Sequence, residues 1–257
     1  MDLTTIGGVI LAFGAVLLGQ ALEGGHAGSL AQATAAIIVL GGTLGATAVA
    51  FPMKDFIRGI KMVSRALREK KSDIGALVQQ IVELAGIARR DGVLALEQRL
   101  ANLTDPFLKR AVQFLVDGVN ATVARDALET EIGAEYEEGA VGAKVFETAG
   151  GFSPTVGILG AVLGLIHVME NLSDPSKLGE GIATAFVATV YGVALANLIL
   201  LPIGAKIKRK LVLDRDRATL IAEGVLSIQS GLNPRVLEEK LRAYAGGHTA
   251  PAAATEK

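Results

Sequence analysis

The chain alternates between long stretches without a charge and stretches in which charge recurs every three or four residues. Four uncharged apolar runs stand out: Leu3–Leu22, Leu30–Phe51, Phe152–Met169 and Ile182–Ala205. A helix needs about 20 apolar residues to cross a bilayer core, so each run predicts a membrane span. Residues 23–28 are room only for a turn, so the first two spans predict an antiparallel hairpin. The acidic link between Met169 and Ile182 does the same for the last two. Nothing before Leu3 resembles the positive region of a cleaved signal peptide, and the first run is expected to remain as a span.

Between the hairpins the period changes. Lys54, Arg58, Lys61, Arg65, Arg68, Lys70 and Lys71 interleave with Phe56, Ile57, Ile60, Val63 and Leu67. That pattern predicts a basic amphipathic helix leaving the membrane, its basic face either solvated or beside anionic lipid head groups. Asp73 is a cap for a helix over 74–90, which Asp91-Gly92 breaks. A short helix follows over 93–100. Asp105-Pro106 starts another over 107–116, and Asn120 caps a long helix through 147 that feeds the third span. After the fourth span a polar helix runs to about Ser230, Asn233-Pro234 starts a last helix ending at Ala245, and 246–257 is expected to be disordered. The predicted fold class is an all-α integral membrane protein with four transmembrane helices. A helical cytoplasmic domain is inserted between helices 2 and 3, and a cytoplasmic C-terminal helix follows helix 4. The predicted divisions are 1–52, 53–148, 149–205, 206–245 and 246–257.

Charge supplies the orientation. Of the 25 Lys and Arg residues, 14 lie from Lys54 to Lys144 and 10 from Lys206 onward, with Lys177 alone between spans three and four. Positive loops mark the cytoplasmic side, so both termini and the central segment are expected inside. Glu23, Glu170, Asp174 and Glu180 then fall near the outer ends. The net charge of −1 gives no reason to invoke nucleic acid. With no cysteine there is no disulfide, no Cys-ligated metal and no Cys nucleophile. His26, His167 and His248 are scattered, and no phosphate loop or nucleophile–base set is present, so an enzyme is the weakest reading.

The third span carries Gly157, Gly160, Ala161 and Gly164, and the fourth carries Ala185, Ala188, Thr189, Gly192 and Ala196. Small residues at this spacing let helices approach closely. Packing alone accounts for most of them. A sharper reading places Pro154, Ala161 and Thr189 beside an ion path, because Pro154 lacks a backbone donor and frees an upstream carbonyl. No span contains an acid. Intramembrane acids mark proton relays, so a conducting assembly must take its carboxylate from another subunit.

These motifs resemble the A subunit of the bacterial flagellar motor stator, the MotA/PomA family within the MotA/TolQ/ExbB superfamily. The resemblance rests on SPTVGILGAVLGL from Ser153, ATVYG from Ala188, LLPIGAK from Leu200, ARRDGVLALE from Ala88 and GVLSIQSGLNPRVLEEKL from Gly224. It covers essentially the full length. It implies an ion-driven torque generator in which several A subunits, thought to be a homopentamer, surround two helices of a MotB/PomB-like B subunit. An aspartate of that partner carries the ion. The A subunits push on the rotor protein FliG. Pro154 and Pro202 match prolines tied to coupling, and Arg89 or Arg90 with Glu97 match loop charges that meet the rotor. Sodium-type members usually have a hydroxyl residue where this chain has Ala161, followed by a threonine matching Thr189, so a proton is the expected cation and no resident cofactor or metal is expected. Two other readings are an ExbB/TolQ-like proton channel, a group that usually has three spans and an outward amino terminus, and a membrane scaffold that conducts nothing.

Overall fold

Asp2 begins the first helix in the way short polar residues do: its carboxylate accepts the Thr5 N–H at 3.3 Å. The computed structural model describes residues 2–67, 73–173 and 175–249. Arg68, Lys70, Lys71, Asp174 and the tail from residue 250 therefore lie outside the described residues. Among those described, every regular element is helical. Helix α1 is Leu3–Leu22. After a 3-10 turn at Ala27–Leu30, Ala31 leaves the helical region and Gln32 is extended, so the second span, α2, is Ala33–Ala50 and shorter than the apolar run that predicts it. Extended Phe51 ends α2, and α3 follows at Met53–Leu67.

Helix α4, Ile74–Asp91, is capped by Asp73, which accepts the Ala76 N–H at 3.0 Å, and is stopped by Gly92 at a φ of 86°. That left-handed conformation suits glycine because a Cβ would clash with the backbone. The helix expected over 93–100 is a 3-10 turn, Val93–Leu96, continued by one α turn, Glu97–Leu100. Helix α5 is Pro106–Val116, with proline at its first position. Helix α6 runs from Ala121 to Glu170 without a break, passing through Pro154. Helix α7 starts at Pro175–Ala194, passes through a π turn at Leu195–Leu200 and ends with Leu201–Gln229. Helix α8, Pro234–Thr249, extends past the expected stop at Ala245; Gly246 and Gly247 weaken a helix without ending it. Among the described residues, four helices are long and apolar enough to cross a membrane: α1, α2, α6 and α7.

The chain divides into two compact units, each taking a stretch of both long helices. The first comprises Met1–Glu69 and Gly139–Lys210, the second Lys70–Glu138 and Leu211–Lys257. In the first, Ala35 and Val39 of α2 pack on Val187 and Ala188 of α7. Helix α1 has no buried residue. It is held at its amino-terminal end: the Asp2 N–H donates to Leu67 O at 2.9 Å, and the Asp2 carboxylate pairs with Lys206 at 2.7 Å and Lys210 at 3.1 Å. The Lys206 hydrogen bond and then Thr4 hold the Asp2 carboxyl well below the usual range, against the opposing effect of burial. Lys210 also donates to Arg65 O and Ala66 O, at 3.1 and 2.8 Å.

The second unit has the larger apolar core. Ile81 and Leu84 of α4, Leu108 and Val112 of α5, Ile221 of α7 and Leu237 of α8 are all buried together. Gly224 lets α7 seat against α4: a Cβ there would lie 2.8 Å from Ile81 Cγ2. Asp105 caps α5 by accepting the Phe107 and Leu108 N–H groups at 2.9 Å each, and Arg217 pairs with the same carboxylate. Burial pushes that carboxyl up, but the two amides and Arg217 outweigh it and leave it low. Arg125 bridges Glu223 at 2.6 Å, and Lys240 meets Glu223 at 2.9 Å.

Candidate functional site

The membrane portions of α6 and α7 touch backbone to backbone. A Cβ on Gly192 would sit 2.7 Å from Ser153 O and 2.9 Å from Gly157 Cα. One on Gly164 would sit 2.9 Å from both Ala185 N and Gly181 O. Only hydrogen fits at such points, which is the physical content of the small-residue stripes. Ser153 adds a directed bond: fully buried, its Oγ donates to Gly192 O at 2.9 Å.

This pairing fixes the level of each predicted site residue. Pro154 and Ala161 lie on one face of α6, two turns and about 10 Å apart along the axis, and both are half-buried. Ala188 packs against Gly157 through its carbonyl and against Gly160 through its Cβ. Thr189, the next residue, therefore lies at a level between Pro154 and Ala161. It is half-buried, and its hydroxyl donates to Ala185 O at 3.2 Å. Pro202 is exposed one residue after Leu201, which covers Gly150. That places Pro202 at the level of the turn before Pro154.

Arg89 and Arg90 close α4, and Glu97 opens the single turn that follows. All three are exposed, and among the described residues none is paired. They fall in the second unit, whereas Pro154, Ala161, Thr189 and Pro202 fall in the first.

Other features have no signature in the hydropathy pattern. Tyr191, an ionisable candidate by residue type, donates its hydroxyl to Leu30 O at 2.5 Å and accepts the Gln32 N–H at 3.3 Å. It secures the extended link before α2. A π turn at Ile37–Gly41 interrupts α2, and the one at Leu195–Leu200 ends just before Pro202. Proline lacks the N–H and crowds the carbonyl four residues back, so Pro202 is the one sequence signal for the second of these turns. Thr43, just past the first, is buried with its hydroxyl unpaired, whereas Thr47 donates to Thr43 O at 2.7 Å. His167 is exposed near the C-terminal end of α6, and Asn171 donates to its carbonyl at 2.9 Å. No group of His, Asp and Glu suited to a metal occurs among the described residues.

Comparison with known proteins covers the chain almost end to end. Residues 6–92 match the family described as Motility protein A N-terminal, and residues 99–217 match the MotA/TolQ/ExbB proton channel family. Motility protein A of Bacillus subtilis (strain 168) is 37% identical over 246 residues, which is 95% of this chain and 91% of the relative. Chemotaxis protein PomA of Vibrio alginolyticus is 36% identical over 248 residues, 95% of each chain. A chain in the structure of C. jejuni MotAB superposes with a TM-score of 0.92 at 31% identity, covering 100% of both chains.

Proposed function

The chain belongs to the MotA/TolQ/ExbB proton channel family as a flagellar motor stator A subunit of MotA/PomA type, and from that premise we propose how it conducts and what it moves. Protons cross at the α6–α7 pair together with a MotB/PomB-like subunit, and their flow becomes torque on a rotor protein of the FliG kind. The carrying observation is the coincidence of a backbone-packed helix pair with spans that contain no acid. Such a pair supplies a wall, and the partner's membrane aspartate supplies the titrating group.

The side chains at the wall favour a proton over sodium. Sodium needs several oxygen ligands after losing water. Ala161 offers none, which leaves the Thr189 hydroxyl oxygen as the single side-chain ligand of these two positions. Pro154 lacks the N–H that would bond Gly150 O, so a carbonyl is released one turn below it. This turn and Pro202 share a level, which supports a coupling role for both prolines. Arg89, Arg90 and Glu97 serve as the rotor contact; exposed charges of this kind contribute little to folding and suit contacts that form and release. Both termini lie in the cytoplasm, and copies of the chain form a ring, a pentamer, around the B helices.

Rotation of motors built on this chain, measured in sodium-free medium with a proton gradient imposed, tests the cation. Rotation is expected to continue. Motors that stop without sodium and restart on its return would overturn the assignment. Pro154→Ala is expected to leave assembly with the B subunit intact and lower torque, read by bead rotation; normal torque would remove Pro154 from the coupling role.

A further inference from the structure

We propose that α3 is a membrane-surface helix whose basic groove binds the head group of an anionic phospholipid. The placement comes from its two ends. Met53 follows the last residue of the second span by only Phe51 and Pro52. At the other end, Leu67 O accepts the Asp2 N–H, and Asp2 caps the first span. The start of one span and the end of the next lie on the same membrane face, because the two spans are antiparallel. A helix of 15 residues, about 22 Å long, thus has both ends at one boundary and runs along it. Lys210, five residues past the expected end of the fourth span, bonds Arg65 O and Ala66 O and secures the same end.

The faces of α3 match that position. One face packs on α6: a Cβ at Gly59 would lie 2.8 Å from Val145 Cβ, and Met62 lies across Gly142. Met53, Ile57, Ile60 and Leu67 form a stripe along the opposite face and are 68%, 42%, 53% and 36% exposed. Lys54, Arg58, Lys61 and Arg65 flank the stripe on one side, lining a groove of about 490 Å³ with Ile57 and Met62. The acid on this helix, Asp55, contacts Arg58 at 3.5 Å. An apolar stripe beside a cationic groove, held at the boundary, is complementary to a lipid with acyl chains on one side and a phosphate on the other. The inference depends on the membrane spans and not on which cation flows, so it stands or falls apart from the ion assignment.

The chain has no tryptophan, which makes a single reporter possible. The full-length chain carrying Ile60→Trp, with a B partner whose own tryptophans are replaced by phenylalanine, is reconstituted in vesicles containing brominated phosphatidylglycerol or brominated phosphatidylcholine at equal mole fraction. Each cation near an anionic surface strengthens its attraction to that surface by about fivefold. Quenching by the anionic lipid is therefore expected to exceed quenching by the neutral one, and adding Lys54→Gln with Lys61→Gln is expected to make the two equal. Ile57→Trp repeats the measurement should the first variant fail to fold. Quenching by aqueous iodide alone would mean a solvated helix and overturn the proposal. Protection from lipid and iodide alike would mean coverage by a second copy, and would overturn it as well. Equal quenching by both lipids in the parent would remove the head-group site.

Discussion

Gly192→Ala tests the contact on which the helix pair depends. The new Cβ falls 2.7 Å from Ser153 O and 2.9 Å from Gly157 Cα, whereas ordinary C···O contacts lie at about 3.3–3.6 Å. The shortfall is about 0.6–0.9 Å, the difference of those two distances, and both neighbours are backbone, which no rotamer change relieves. Overpacking of this kind costs about 1–3 kcal/mol. Alanine also favours helix over glycine by about 1 kcal/mol, so a single value would mix the two effects. Gly45→Ala separates them: the site lies in α2 with nothing within 4 Å, and it gains the helix preference without the clash. The difference between the two variants is expected to be about 1–3 kcal/mol in favour of Gly45→Ala. Equilibrium unfolding of the complex in mixed micelles of rising dodecyl sulfate fraction measures it. Equal stability within about 0.5 kcal/mol would refute backbone contact between α6 and α7.

Three further outcomes follow from separate parts of the fold. Ser153→Ala removes the bond to Gly192 O and is expected to cost about 0.6 kcal/mol in the same unfolding assay, the average for hydrogen bonds between membrane helices; a loss above about 2 kcal/mol would mean Ser153 does more than join two helices. Ile81→Ala opens a cavity in the second unit, where the residue is fully buried, and is expected to cost about 2–5 kcal/mol, read by chemical denaturation of the full chain. Glu223 has its carboxyl held low by Arg125 first and by Lys240, against burial. A depressed folded value means its contribution is complete above the ordinary carboxylate range and is lost as pH falls through the folded value. Glu223→Gln is therefore expected to flatten the loss of stability between about pH 5 and pH 3; an unchanged slope would show that the Arg125–Glu223–Lys240 set is idle.

The hydropathy pattern carried the architecture because a bilayer tolerates so few alternatives. A run free of charge has one stable use there, and all four runs became helices long enough to cross. Caps were legible for the same kind of reason. Asp73, Asp105 and Asn233 each sit where an amide needs an acceptor, and the last accepts the Arg235 N–H at 3.0 Å. The π turn at Ile37–Gly41 left no trace, since inserting one residue into an apolar helix changes which face a side chain occupies without changing its hydropathy, and only Pro202 marked the turn at Leu195–Leu200. Which glycines matter was equally hidden. Gly14 and Gly192 look alike in the sequence, yet one has open space around it and the other a neighbouring backbone. Tyr191 carries a phenol within an apolar run, and its partners Leu30 and Gln32 lie about 160 positions away. Contacts across that separation have no periodicity to detect. The 3-10 turn at Val93–Leu96 replaces an expected helix because the stretch between Gly92 and Leu100 is too short to close several α turns.

The attachment of Asp2 has a consequence for how the protein is made. Its partners are Leu67, Lys206 and Lys210, and synthesis proceeds from the amino terminus at about 5–20 residues per second. The first span enters the bilayer long before Lys206 exists. For about 7–30 seconds, the time from Leu67 to Lys206, nothing fastens its Asp2 end beyond the carbonyl at Leu67. Its position is settled only when the fourth span has been threaded and the two lysines emerge. The second residue of the chain is thus among the last to reach its place, and an error in inserting the final hairpin would leave the first helix adrift.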